Sequence, residues 1–164
     1  MKKLIIPEDF VIPEILKTDR MLLRCLTVDD VIKDYDAVMT SIKYLQKTKP
    51  FGLSSNWPVR DLTIEQDLVD LGWHQEEFQN RSSFAYTVMS LDEKLCLGCL
   101  YIYPSEKRGF DSKIIMWVRE SEVQKGLDEH LFETVKKWIH DLWLFKNPAY
   151  PGREIDWKDW DNLK

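Results

Sequence analysis

Residues 117–139 read WVRESEVQKGLDEHLFETVKKWI, and the reading of this stretch decides the fold. A strand end at Trp117-Val118 runs through a short polar turn to one glycine, Gly126, and then into an amphipathic helix. Val123, Leu127, His130, Leu131, Thr134, Val135, Trp138 and Leu142 recur at three and four residues, which predicts a long helix over about 122–142. A strand–glycine–helix junction is a natural anion site. First-turn N–H groups lack intrahelical partners, and glycine lets the backbone come close to a ligand. The same residues admit a second reading. Ser121 and Gln124 have the spacing of a capping box, so the free N–H groups would be used by the cap. Glu122 and Asp128 would then simply complement the helix dipole.

Upstream of the junction lie three strand candidates, 83–90, 95–103 and 112–120, separated by the polar turns LDEK and SEKRGFD. Short turns between successive strands predict an antiparallel meander. Before it, Thr63 and Gln66 form a T-x-x-Q capping box that opens a helix to about residue 80. Pro50, Gly52, Ser54, Ser55, Asn56 and Pro58 mark a loop, and Thr27 or Asp29 caps an earlier helix running to about Leu45. Residues 21–26 alternate as a strand. Residues 1–19 read as an irregular arm, and 144–164 leave room for one strand or a short hairpin. The whole chain, 1–164, reads as a single α+β domain.

The 23 basic and 28 acidic residues give a net charge of −5, with no basic cluster of the kind nucleic acids or anionic membranes require. No apolar run approaches a signal-peptide core or a membrane span, so a cytoplasmic protein is expected. Three cysteines, Cys25, Cys96 and Cys99, fit reduced thiols. Cys96 and Cys99 have C-x-x-C spacing, but residues i and i+3 of a strand face opposite ways. Two packing thiols are therefore expected, with no metal.

The element order and three motifs together resemble the GNAT superfamily of acetyl-CoA-dependent N-acetyltransferases. TDRMLLRCLTVDD is similar to the family's first strand. KLCLGCLYIYP is similar to its fourth, where a glycine after an apolar pair precedes a bulge. GLDEHLFETVKKWI is similar to its cofactor-helix start. The resemblance spans roughly 16–143. It implies a mainly antiparallel sheet packed by helices on both sides, and acetyl-CoA as co-substrate. It also implies a small amine or amino-group acceptor; the charge balance, separately, predicts no nucleic-acid or membrane partner. Cofactor contacts are implied at Trp117, Val118, Arg119, Gln124, Lys125, Gly126, Leu127 and Asp128. Of the family's Q/R-x-x-G-x-G/A loop only Gly126 matches, because Val123 and Asp128 replace the first and last positions. A carboxylate ~5 Å from a phosphate would cost on the order of 3 kcal/mol per unit charge at an effective dielectric near 20. Lys125 could offset part of this. The alternative is a GNAT-shaped, non-enzymatic binding module with a degenerate loop.

Acyl transfer to an amine needs a base, a polarised carbonyl and positioning. Glu120, at the end of the last meander strand, is the candidate base. Tyr150 is the candidate acid for the leaving thiolate, as the family often uses a C-terminal tyrosine. Trp57, Trp73 and Tyr101 are candidate acceptor-pocket residues, with Phe51 and Phe84 nearby in sequence. His74 has Glu77 at i+3. The stretch after Trp143 is short for the family's closing elements, so a second copy of the chain is one way to complete that side. Trp157 and Trp160 are expected to dock on the sheet or on a second subunit.

Overall fold

The computed structural model describes residues 6–164. The elements are β1 (Ile15–Lys17), β2 (Leu22–Cys25), α1 (Val31–Met39), α2 (Ile42–Thr48), α3 (Ile64–Gln79), β3 (Phe84–Met89) and β4 (Cys96–Pro104). They continue with β5 (Ser112–Val118), α4 (Glu120–Val123), α5 (Leu127–Leu142), β6 (Pro148–Ala149) and α6 (Trp157–Asn162). The six strands lie in one sheet in chain order. All neighbours are antiparallel except β5 and β6, which run parallel and pair only through Ser112–Pro148 and Lys113–Ala149.

Period-two alternation sorts the central strands onto two cores. Phe84, Tyr86 and Val88 of β3, Leu100 and Ile102 of β4, and Ile114, Met116 and Val118 of β5 face one side. There they meet Leu127, Leu131, Val135 and Ile139 of α5, spaced by four. Burying such a side chain is worth about 1.5–3 kcal/mol. Packing therefore holds α5 more than intrinsic propensity does. The opposite face carries Ala85, Met89, Tyr101, Ile115 and Trp117 against Ala37, Val38, Leu45 and Leu71 of the first three helices. The sequence reading of an α+β sheet covered on both sides holds.

The details differ in four places. The arm expected over 1–19 supplies β1, which hairpins onto β2 through Leu16–Leu23; its first five residues lie outside the described residues. The first helix breaks at Thr40-Ser41, where the end of β5 docks. Arg119 donates to Asp36 Oδ2 (3.1 Å) and Thr40 Oγ1 (3.2 Å), and Ser41 Oγ accepts from the Glu120 N–H (2.9 Å). The tail adds a short helix, α6, beyond the expected strand. Trp160 is buried against Phe110 of the same chain, and Trp157 packs on Gly52 and Gly152. The Thr63–Gln66 capping box forms with both of its bonds, at 2.9 and 3.2 Å.

The fourth difference concerns the thiols. Between β3 and β4 the register slips, with Val88 opposite Gly98 and Met89 opposite Cys96. The extra residue, Leu97, is a bulge, and a bulge inverts the alternation beyond it. Cys96 and Cys99 therefore share the α1–α3 face, which corrects the expectation that a strand keeps them apart. Gly98 is required at this point, since a β-carbon there would sit 2.0 Å from the Trp117 carbonyl oxygen.

Candidate active site

Two concavities meet across the Trp57 and Trp117 rings, whose centroids lie 5.6 Å apart. The first is a gap of about 300 Å³ where β5 and β6 diverge after their two paired residues. Met116, Trp117 and Val118 of β5 line it together with Pro151, Gly152 and Arg153 from beyond β6, and Tyr44 and Asp128 complete the wall. Arg153 reaches across this gap. Its guanidinium donates to both Asp128 oxygens (2.8 and 3.0 Å) and to the Met116 carbonyl (3.2 Å), over the Phe132 ring. A bidentate, charge-assisted pair of this kind is among the stronger polar contacts. Burial, with the Asp128 charge second, raises the Tyr44 phenol.

At one end of the gap, α4 closes a helical turn and α5 begins separately after Gly126. Gly126 has φ +76° with open space around it, so glycine is there for its backbone conformation. The Ser121–Gln124 capping box does not form. Arg119 occupies the cap position of α4, without a side-chain cap bond. The α5 N-terminus thus keeps its own first-turn N–H groups.

The second concavity, about 350 Å³, lies between α1, α3 and β4. Phe51, Trp57, Tyr101 and Tyr103 supply its rings, and Asp34, Asp67, Asp70 and His74 its polar groups. The Asp34 and Asp67 carboxyl groups, both almost fully buried, share a hydrogen bond. Burial first, then neighbouring negative charge, pushes Asp34 up to about 7 and Asp67 up to about 8. The pair holds a proton near neutrality. His74 stacks obliquely on Tyr101 at 5.1 Å, and burial lowers its pKa. Behind Asp34, Cys99 Sγ donates to Asp34 Oδ1 at 3.3 Å, and Cys96 Sγ donates to the Gly98 carbonyl at 3.3 Å. Donor atoms of Asp34, Cys96 and Cys99 lie within 4.8 Å of one another.

No family model and no curated protein matches the chain. Solved structures do. The ribosomal L7/L12 alpha-N-protein acetyltransferase RimL aligns with a TM-score of 0.60 at 17% identity, over 82% of this chain and 69% of that one. The ribosomal-protein-S5-alanine acetyltransferase from Vibrio fischeri aligns with a TM-score of 0.61 at 13% identity, over 77% and 67%. The microcin C7 self-immunity acetyltransferase MccE, solved with acetyl-CoA and AMP, gives 0.61 at 11%, over 81% and 69%. The fold is that of the GNAT acetyltransferases.

Within this GNAT fold the sequence-chosen residues separate. Trp117, Val118 and Asp128 line the gap, and Gly126 and Leu127 begin α5 beside it. Gln124 and Lys125 are exposed, and Lys125 pairs with Glu122 at 3.1 Å rather than with Asp128. Arg119 turns to the other face, holding the Cys96 carbonyl (3.1 Å) and α1. Glu120 is exposed at the start of α4 and lines neither concavity. Tyr150 corrects its expectation: it is buried edge-on to Phe132 in the α5 core instead of facing the gap. Trp57 and Tyr101 line the second cavity, whereas Trp73, 68% exposed on the outer side of α3, does not. Phe84 belongs to the opposite core. Glu77 bonds Ser83 and leaves His74 to the cavity.

Sequence reading missed Arg153, Asp34 and Asp67. Arg153 sits in a tail whose path only the parallel β5–β6 step sets. Asp34 has Val31, Ala37 and Val38 as same-face neighbours and Asp67 has Ile64 and Leu71, and an acid beside such apolar helical positions is the signal that could have found them.

Proposed function

We propose that the protein is an acyl-CoA-dependent N-acyltransferase that moves an acetyl group to an amine. One observation carries this reading: a sheet that opens beside a central strand, with a helix N-terminus at one end of the opening. The gap fits an extended thioester arm. β5 offers backbone there, as the Met116 carbonyl bonded by Arg153 illustrates. At the phosphate end, the first-turn N–H groups of α5 and the Arg153 guanidinium would meet the charge, and Asp128 opposes it. Acetyl-CoA would supply the activated carbonyl. Trp117 and Val118 would align its arm through their backbone, and the gap would hold water away. The amine nitrogen forms the new C–N bond and gives up a proton, the C–S bond breaks, and the thiol leaves protonated. RimL has also been solved with coenzyme A, which supports this reading.

A second reading has its own observation. Arg153 already satisfies Asp128 and Met116 inside the gap, and α4 is a closed turn. In that reading the protein is a GNAT-shaped binding module. Calorimetric titration with acetyl-CoA and with free CoA separates the two. Micromolar binding is expected, lost in Gly126→Trp, which puts a large side chain on a left-handed backbone. A cooperatively folded protein that takes up neither compound at about 1 mM, the upper end of ordinary enzyme affinities, overturns the transferase reading.

A further inference from the structure

We propose that the cavity between α1, α3 and β4 is a recognition site for a protonated primary alkylamine with a flat, apolar body. This deepens the transferase reading and rests on it for the amine's role as acceptor; the binding itself does not depend on acetyl-CoA.

The first ground is charge. Three carboxyl groups, Asp34, Asp67 and Asp70, line the cavity, and none of the residues lining it is a lysine or arginine. Asp67 Oδ2 and His74 Nδ1 are both buried with no hydrogen-bond partner among the described residues. Buried carboxylates without a cation are costly, so an empty cavity keeps a proton. An ammonium group would replace that proton and supply several donors at once.

The second ground is shape. Tyr101 and Tyr103 stack in parallel at 5.9 Å, and Phe51 and Trp57 meet edge to face at 5.0 Å. Such ring faces favour a flat body and attract a cation nearby. A volume of about 350 Å³ is at the small end of ligand pockets. That favours a compact amine over a polypeptide, although an N-terminal residue would present the same ammonium. Trp57 also touches Trp117 of the gap, so an occupant lies next to the proposed acyl site.

The third ground is the set of neighbours that could cancel the charge. Asp34 comes from α1. Asp67, Asp70 and His74 come from α3, with Glu77 beyond. β4 supplies the thiols of Cys96 and Cys99 and the two tyrosines. Arg119 holds the Cys96 carbonyl from outside, and Lys113, which lies over Tyr103 at 5.9 Å, pairs with Glu106. Asp30, whose charge also acts on Asp34, is paired with Arg24 at 2.8 Å, and among the described residues no lysine or arginine bonds the acid pair. Binding should therefore strengthen as pH rises through 7 to 8, where the pair surrenders its proton.

The test is calorimetric titration of the intact protein, without acetyl-CoA, with phenethylamine and with phenethyl alcohol, its neutral counterpart. The amine is expected to bind at least tenfold more tightly and to release a proton, read from buffers of different ionisation enthalpy. Asp67→Asn should weaken the amine at least tenfold and leave the alcohol unchanged. Trp57→Leu, away from the acid pair, should weaken both and serves if Asp67→Asn folds poorly. Equal binding of amine and alcohol, or no binding of either up to about 10 mM, overturns the inference. Amine binding in a protein that takes no acetyl-CoA would sink the transferase reading and leave this one standing. Acetyl transfer to small amines that Asp67→Asn does not alter would do the reverse.

Discussion

The gap beside β5 and the cavity beneath α3 adjoin where Trp117 of the one meets Trp57 of the other, and they treat carboxylates in opposite ways. In the gap, Asp128 is partly exposed and fully matched by Arg153. In the cavity, Asp34 and Asp67 are deeply buried, Asp34 accepts a thiol hydrogen bond from Cys99, and Asp67 Oδ2 has no partner among the described residues. A ligand entering the gap must compete with an internal ion pair. A cation entering the cavity supplies what the fold lacks. The first site has its charges paired internally, and the second holds buried polar atoms without partners among the described residues.

The largest effect would remove both sites together. Gly98→Ala places a β-carbon 2.0 Å from a backbone oxygen of β5, where no flexible side chain can yield. β5 lines the gap and β4 lines the cavity, so forcing these paired strands apart disturbs both, and the expected cost is about 3 kcal/mol or more. A urea midpoint unchanged by this substitution would mean the strands are not so close. Next is Asp128→Ala, which frees Arg153 and removes a like charge from the end of the gap. Acetyl-CoA affinity should rise roughly ten- to hundredfold, by the Coulomb estimate discounted for exposure. An unchanged affinity would place the bound phosphates away from α5.

The acid pair predicts a pH trend. Its folded values lie above the ordinary carboxylate range, so the native state binds more protons than the unfolded state between about pH 4 and 8. Stability from these groups is full below that window and is lost as pH rises through it. His74, held below its ordinary 6.5, works in the opposite sense, so the trend is cleanest above pH 7. Thermal melts should show a falling Tm from pH 7 to 9, flattened in Asp67→Asn. A wild-type Tm that climbs over this range contradicts a shared buried proton. The smallest effect is expected at Trp73→Ala. That ring faces solvent outside the cavity, so stability should move by no more than about 0.5 kcal/mol. A large loss of amine binding there would redraw the cavity.

Most of the fold was legible in the chain. The Thr63–Gln66 box, the three alternating strands and the i, i+4 stripe of α5 are local patterns, and local hydrogen bonding and side-chain period determine them. The stripe ended early, at Ile139, because Leu142 projects past the sheet into solvent. Less of the candidate site was legible. Trp57 and Tyr101 were readable as pocket aromatics. The compensation of Asp128 was sought in Lys125 nearby, whereas Arg153 supplies it from 25 residues away.

By itself the sequence determined the α+β class, the order of elements from β2 to α5 apart from the break of the first helix and the short α4 turn, the meander and the single glycine that turns the chain into α5. Each follows from residues within one or two turns of each other. Tertiary structure alone decided which charges meet. The β5–β6 divergence carries Arg153 to Asp128, the packing of α1 on α3 brings Asp34 to Asp67, and a one-residue bulge turns Cys96 onto the face of Cys99. These pairings depend on register and on distance through space, and no spacing along the chain encodes either.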